Sequence, residues 1–552
     1  MPVTALVLLA CAHAALVPPP PGAGWNVRDH GAKGDGVALD SPAVQAAVDA
    51  CAAAGGGTVL FPAGVYVCGT VRLKSGVMLW LDHGATILGS RRRADYDDYE
   101  TLDFENDADH ETTYFNLSLI RAEGAERIGV AGFGVVDANF KKRGGPKALA
   151  FKRCHFVEIH GITIRNIPNY AVSLLGTDDV NIDGLTILNG YSDGIDPDSC
   201  RNVRISNCRI STIDDAIVPK ASFALGERRA CENITVTNCV LSTVCNGFKL
   251  GTESGGDFRR ISFSNSVVTG YGDHRPAISG VSIESVDGSR IRDIAVSNIT
   301  MHHVRSPLFV RLGNRGRDLP EPVPGSIERV MVSNIAATGA SLPCIIAGIP
   351  GHPVRGVTVS GLRAAWKGAD PALAVGEAVP EEEASYPDAY MFGPLPAYGL
   401  YCRHAEDVVL ENLRLSWEEG FWRLGVTRKY KEVRWPADYG MPDPASPADP
   451  GPAAWFEDTA RLRLTGFDPR PAPSGAPLVR FHDVRSALVS GCAPEAGAPV
   501  FVNVTGGGVE NVLLAGNLVP GGTAPFTVSP EVPAGAVRLS ETGKDAPGGA
   551  NQ

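Results

Sequence analysis

The sequence predicts an all-β chain wound as a single-stranded parallel β-helix, a solenoid with one short capping helix at its N-terminal end. A pattern of the form apolar-x-apolar-x-Gly/Asn-apolar recurs from Arg127 onward, in RIGVAGF, VEIHGIT, VNIDGLT, VRISNCR, ITVTNCV, ISFSNSV and on to VLLAGNL. Its anchors are 23 residues apart at Gly161, Gly184 and Asn207, and 25 apart at Gly466, Gly491 and Gly516. A period between about 20 and 50 residues means stacked units that bury their faces on one another. Each repeat carries several short β runs and no helix, and 63 glycines, 41 prolines and only 7% aromatics suit a turn-rich β protein.

The elements follow in order. MPVTALVLLACAHAALVPPPP has an apolar run, an Ala12-His13-Ala14 triplet and a proline stop, which read as a secretory signal over residues 1–14. No other stretch approaches the ~18 apolar residues of a membrane span, so the expected mature protein is secreted and soluble. Ser41 and Pro42 read as the N-cap and first turn of a helix, with Val44, Ala47, Val48 and Cys51 at helical spacing before Gly55 to Gly57. Everything after it reads as strands, so that residues 25–540 form one β-helix. The anchor steps Asn207, Asn238, Asn265, Asn298 and Asn334 are longer and uneven, and the extra residues become loops on one side. Asn suits these corners because it tolerates left-handed backbone angles and can stack in ladders. Two interruptions near 366–397 and 435–454 are too long for turns and are candidate cleft walls. Residues 541–552 read as a disordered tail.

A net charge of −11 excludes nucleic acid as a partner and means that an acidic substrate needs a local basic patch. The cysteines show no C-x-x-C pattern, and Cys208 and Cys239 each follow an anchor Asn, which predicts stacked buried thiols and no metal or redox site.

The stretch Tyr191 to Ala221 carries five aspartates among short apolar strands. Counted from the anchors, Asp193 is nine residues after Gly184, Asp215 eight after Asn207, Asn246 eight after Asn238, and Asp273 and His274 eight and nine after Asn265. Coils about 4.8 Å apart would bring Asp193, Asp214 and Asp215 together on one open face. Turn-capping accounts for one or two of these carboxylates but poorly for three in register. Convergent carboxylates suit glycoside hydrolysis, one protonated for the leaving oxygen and another ionised to activate water.

SDGID (Ser192 to Asp196) and DDAIVPK (Asp214 to Lys220), with GAKGDG, GGGTVLFPAGVY and GATILGS upstream, resemble the polygalacturonase-type hydrolases of glycoside hydrolase family 28. The resemblance runs from about Trp25 to Leu415. It implies a right-handed parallel β-helix that cuts pectin with inversion, Asp214 as general acid, and Asp193 and Asp215 holding the attacking water. It also implies a monomer that needs no cofactor or metal and takes a pectic polysaccharide or oligosaccharide. Three positions depart from the family pattern: Tyr191 stands for its Asn, Cys245-Asn246-Gly247 for its Gly-His-Gly, and Ser282-Ile283-Glu284 for its Arg-x-Lys. NGFKLGTES and SPLFVRLGNR resemble a divergent branch with a rebuilt pocket. Replacement substrate contacts are sought in Asn246 and in the cations Lys249, Lys220, His274, Arg275 and Arg311, each of which competes with a solvated or strand-edge role. A Ca²⁺-dependent polysaccharide lyase and a non-catalytic carbohydrate-binding solenoid remain open alternatives on the same architecture.

Overall fold

The computed structural model describes residues 24–272, 275–369, 378–424, 442–447 and 450–540. The segments read as signal and tail, and parts of both long interruptions, lie outside the described residues.

The chain winds as a right-handed parallel β-helix. One coil shows the plan: strands Val172–Leu175, Asp178–Asp183 and Thr186–Gly190 pair in parallel with Ile195–Asp198, Arg201–Ser206 and Arg209–Thr212 of the next coil. Each coil thus lays one strand on each of three faces. Register is held by the inward residues: Val180, Val203, Ile234, Ile261, Ile294 and Val330 pair in succession, and all are buried. Both faces of a slip are penalised here, because shifting one coil by a residue would turn that column out to solvent.

The corners obey the anchor chemistry. Gly161, Gly184, Gly466, Gly491 and Gly516 have φ between 61° and 72°, and Asn207, Asn238, Asn265, Asn298 and Asn334 between 50° and 58°. Asn298 donates from Nδ2 to the Asn265 Oδ1 at 3.0 Å, and Asn334 to the Asn298 Oδ1 at 3.1 Å, so the corners form a side-chain ladder. The middle coils run through these corners without a break, as in Phe258–Gly270 and Ser326–Ala340, giving longer strands than expected.

The capping helix spans Ser41–Ala53 and buries Val44, Ala47, Val48 and Cys51 on the first coils. Its N-cap is Asp40, not Ser41. Asp40 turns its carboxylate to the backbone amides of Lys33 and Gly34, while the Ser41 hydroxyl accepts from the Gly69 amide at 2.8 Å. A second helix, His110–Thr113, breaks the expectation of strands alone and proves to be part of the site. Cys208 and Cys239 are buried on adjacent coils, and all eleven described cysteines are free thiols. No described helix is long and apolar enough to cross a membrane.

Candidate active site

One face of the solenoid aligns Val172, Ile195, Ile217, Phe248, Val281 and Leu308 by successive parallel pairing. Two residues before each stands the rim column Tyr170, Asp193, Asp215, Asn246, Ser279 and Ser306. Asp193, Asp215 and Asn246 therefore stack as their spacing from the anchors predicts. The next coil differs: Ser279, fourteen residues after Asn265, pairs with Asn246, because the chain first makes a turn in which Tyr271 bridges to Arg275. Asp273 and His274 lie outside the described residues, and Arg275 is an exposed residue of that turn.

Asp193 is buried, and its Oδ2 accepts from Lys220 Nζ at 2.8 Å. An Asp196 oxygen lies 2.7 Å from the same ammonium without hydrogen-bond geometry, and the Tyr170 hydroxyl accepts from that ammonium at 2.8 Å. Burial works to raise the pKa of Asp193, but Lys220, with help from Arg143, holds it below the usual carboxylate range. Burial and its ionised neighbour push Asp196 well above that range, so Asp196 keeps a proton while Asp193 is charged.

Asp215 is the mirror case. It accepts from the Asn246 backbone amide at 2.9 Å, from Asn246 Nδ2 at 2.6 Å and from Lys249 Nζ at 3.2 Å. Asn246 is fixed in turn by the Ser279 hydroxyl, which donates to its Oδ1 at 2.6 Å. Lys249 also lies 3.8 Å from Glu284 and donates to Tyr386 Oη at 3.4 Å.

Asp214 differs from both, since no lysine holds it and its side chain is 16% exposed. The hydroxyls of Thr212 and Thr243 both donate to its backbone carbonyl and fix the turn. Desolvation first, then the negative charges of Asp193 and Asp215, raise its pKa to about 7 against the opposing pull of Arg143 and Lys249. Arg143 reaches it from another coil, Nη1 to Oδ2 at 2.5 Å, while its other edge pairs with Glu111 of the second helix. The arrangement provides an accessible carboxylic acid flanked by two buried, lysine-held carboxylates, which is the division of labour that acid–base hydrolysis needs.

The cations expected to bind substrate are placed otherwise. Lys220 and Lys249 are buried and paired with the site's own carboxylates. Arg311 is fully buried and donates to the backbone carbonyls of Gly348, Glu381 and Glu382. Arg403 does the same for Val379 and Pro380. These two arginines pin the segment 378–397, whose Val379, Ala389, Phe392 and Leu395 pack on Phe309, Ile345 and Tyr401. Among the described residues, Asp214, Asp215 and Cys245 make the one grouping of possible cation ligands. Its carboxylates already face Arg143 and Lys249, and that donor set fits those cations.

Loops enclose the site. Helix His110–Thr113 contacts the low-numbered coils, with Thr112 Oγ1 3.0 Å from Tyr170 Oη and Glu111 Oε2 accepting from Ser192 at 2.9 Å. Arg317 pairs with both Asp109, the N-cap of that helix, and Glu253, and Asp107 and Asp318 each offer a carboxylate to the other's backbone amide. Tyr386 Oη accepts from Thr252 Oγ1 at 3.0 Å, beside Lys249. None of Arg143, Glu111 or Tyr386 was among the expected site residues. The only sequence cue was the basic run Lys141-Lys142-Arg143 before two glycines.

Residues 101–368 match the family described as Glycosyl hydrolases family 28, and residues 24–83 match Rhamnogalacturonase A/epimerase, pectate lyase-like. The family 28 match, just under half of the chain, spans Arg143, Asp193, Asp214 and Asp215. It is 25% identical over 369 residues to a probable polygalacturonase of Vitis vinifera, covering 61% of this chain and 73% of that protein. It is 26% identical over 341 residues to a polygalacturonase of Ralstonia solanacearum, covering 49% of this chain and 61% of that protein. Two solved structures share the fold. The exopolygalacturonase of Thermotoga maritima has a TM-score of 0.55 at 23% identity, over 63% of this chain and 88% of that one. The family 28 exopolygalacturonase of Yersinia enterocolitica has 0.54 at 20% identity, over 71% and 77%. These similarities support a glycosidase.

Proposed function

We propose that this glycosidase hydrolyses α-galacturonosyl linkages of pectic polysaccharide, inverting the anomeric centre and working from chain ends outside the cell as a single chain. The proton of Asp214 passes to the glycosidic oxygen as the C–O bond breaks. Water, held by Asp193 and Asp215 on the opposite face, attacks the anomeric carbon and gives a proton to that pair. The observation that carries this is the contrast in environment: Asp214 is accessible and uncharged below about neutral pH, while Asp193 is kept ionised by Lys220. The names of the relatives supply the pectic substrate.

The walls support chain-end action. We read the contacts of helix His110–Thr113 with Tyr170, of Asp107 with Asp318 and of Tyr386 with Thr252 as walls that favour a pocket over an open groove. The lyase alternative would use an uncharged base, yet Lys220 and Lys249 are both held well above the ordinary amine range, where their carboxylate partners outweigh burial. Incubation with polygalacturonate, followed by chromatography and NMR of the anomeric proton, tests the proposal. Release of monosaccharide with inverted configuration is expected; unsaturated product, or no release at all, would overturn it.

A further inference from the structure

The pocket holds few cations that a substrate could reach. Lys220, Lys249 and Arg311 are buried and engaged, and Arg315 is committed to Asp287 with its side chain 9% exposed. Arg143 differs: its side chain is 43% exposed, and it stands at the rim between Glu111 and Asp214. Its Nε and Nη2 donate to the two oxygens of Glu111 at 3.1 and 2.6 Å, a bidentate clamp that fixes the guanidinium plane. Glu111 is itself held by Ser192, next to Asp193. Only the Nη1 edge is turned to the acid.

We propose that Arg143 selects an anionic sugar: the substrate carboxylate takes the Nη1 edge from Asp214, and Asp214, freed of its ion pair, keeps the proton that the leaving oxygen needs. The inference rests on the hydrolase reading above and names the residue that recognises the acid group. Glu111 holds the guanidinium while the Nη1 contact is exchanged, so the pocket is preorganised and no other group has to move. The groups that face Asp214 are Arg143, Asp193, Asp215, Lys249 and Cys245. Arg143 is the accessible one among the cations, and hence the one a ligand can compete for. Lys141 and Lys142, exposed on the same loop, add the local positive field that a chain of net charge −11 requires to attract a polyanion.

The test uses the full chain and its Arg143→Met, Arg143→Lys and Glu111→Gln variants. Binding of D-galacturonate and of D-galactose is measured by calorimetry, and kcat/KM on galacturonate oligomers is followed against pH. Wild type should bind galacturonate more tightly than galactose. Arg143→Met should weaken galacturonate binding roughly 10- to 100-fold, as for loss of one charge-assisted hydrogen bond, with galactose binding unchanged. It should also move the high-pH limb of kcat/KM upward, since the cation that opposes protonation is gone. Arg143→Lys should restore part of the preference, and Glu111→Gln should lose part of it. Equal weakening for both sugars, no preference in wild type, or an unmoved limb would overturn the inference while leaving the hydrolase reading standing. Absence of hydrolysis by wild type would remove both.

Discussion

Asn246 gives Asp215 two hydrogen bonds, one from its backbone amide and one from its side chain, and is itself oriented by Ser279 of the following coil. Three coils thus fix one carboxylate. Replacing Asn246 by Ala removes the side-chain donor and leaves Lys249 as the remaining side-chain partner. On the order of a 10²-fold loss in kcat with KM changed less than about threefold is expected if Asp215 holds the attacking water as proposed, because that carboxylate is misplaced while the sugar contacts persist. Steady-state kinetics on galacturonate oligomers measure it; an unchanged kcat would show that Asp215 needs no such support.

Asp214→Asn keeps the shape of the turn, since Thr212 and Thr243 bond the backbone carbonyl and not the carboxyl. It removes the transferable proton. A loss of about 10²- to 10⁴-fold in kcat is expected, the span of general acid catalysis, with an unaltered thermal transition near neutral pH. Reducing-sugar release and circular dichroism on the same preparation separate the two effects.

The pH dependence follows from the same groups. In the proposed mechanism Asp214 is the protonated acid, so activity should fall about tenfold per unit above pH 7, while the low-pH limb should lie below the usual carboxylate range because Asp193 is held down by Lys220. Stability has its own sign. Asp214, Glu284 and Asp388 are each raised to about 7, chiefly by burial. Between about pH 4 and 7 the folded state holds protons there that the unfolded chain has released, so stability is greatest near the low end and declines toward pH 7. Thermal unfolding at pH 5 and pH 8 should show a higher midpoint at pH 5, and Glu284→Gln should flatten the difference.

How far the sequence carries depends on where each contact originates. Asp193, Asp215 and Asn246 were legible because they sit eight or nine residues after a corner whose left-handed angle demands Gly or Asn, and no loop intervenes. Ser279 was not, since the excursion that ends at Arg275 adds six residues before the strand resumes. Arg143 reaches Asp214 across 71 residues, and Glu111 reaches Arg143 across 32 and Ser192 across 81, from segments whose lengths follow no period. Lys249 could be picked from its place in an apolar strand, but only the fold shows that Asp215 and Glu284 consume its charge. Local rules write the solenoid; the pocket is written by insertions.

The corner ladder is open to a direct test at Asn298, whose φ is 57° and whose side chain bonds both Asn265 and Asn334. Asn298→Gly keeps the backbone angle and loses two exposed side-chain bonds, so a loss near 1 kcal/mol is expected. Asn298→Val loses the same bonds and forces a β-branched residue into the left-handed region, adding roughly 1–2 kcal/mol. Chemical denaturation should rank wild type above Gly above Val; equal values for the two variants would mean that the corner relaxes freely.

The proposed chain-end action can be tested at the rim clasp. Asp107 and Asp318 exchange carboxylate-to-amide bonds at 2.6 and 3.1 Å, both partly in solvent, and Arg317 ties the same loop to Asp109. Asp107→Ala with Asp318→Ala removes the exchange without touching Asp193, Asp214 or Asp215, and the exposed position keeps the expected stability loss to about 1 kcal/mol or so. Freed of the clasp, the loop after Leu312 can draw back and let a polymer lie across the floor between Ile195 and Val281. The double variant should therefore release oligosaccharides together with monosaccharide and lower the viscosity of polygalacturonate faster per bond cut than wild type. An unchanged product profile would place the block elsewhere, on the Tyr386 side, where Tyr386→Ala would then be the variant that opens it.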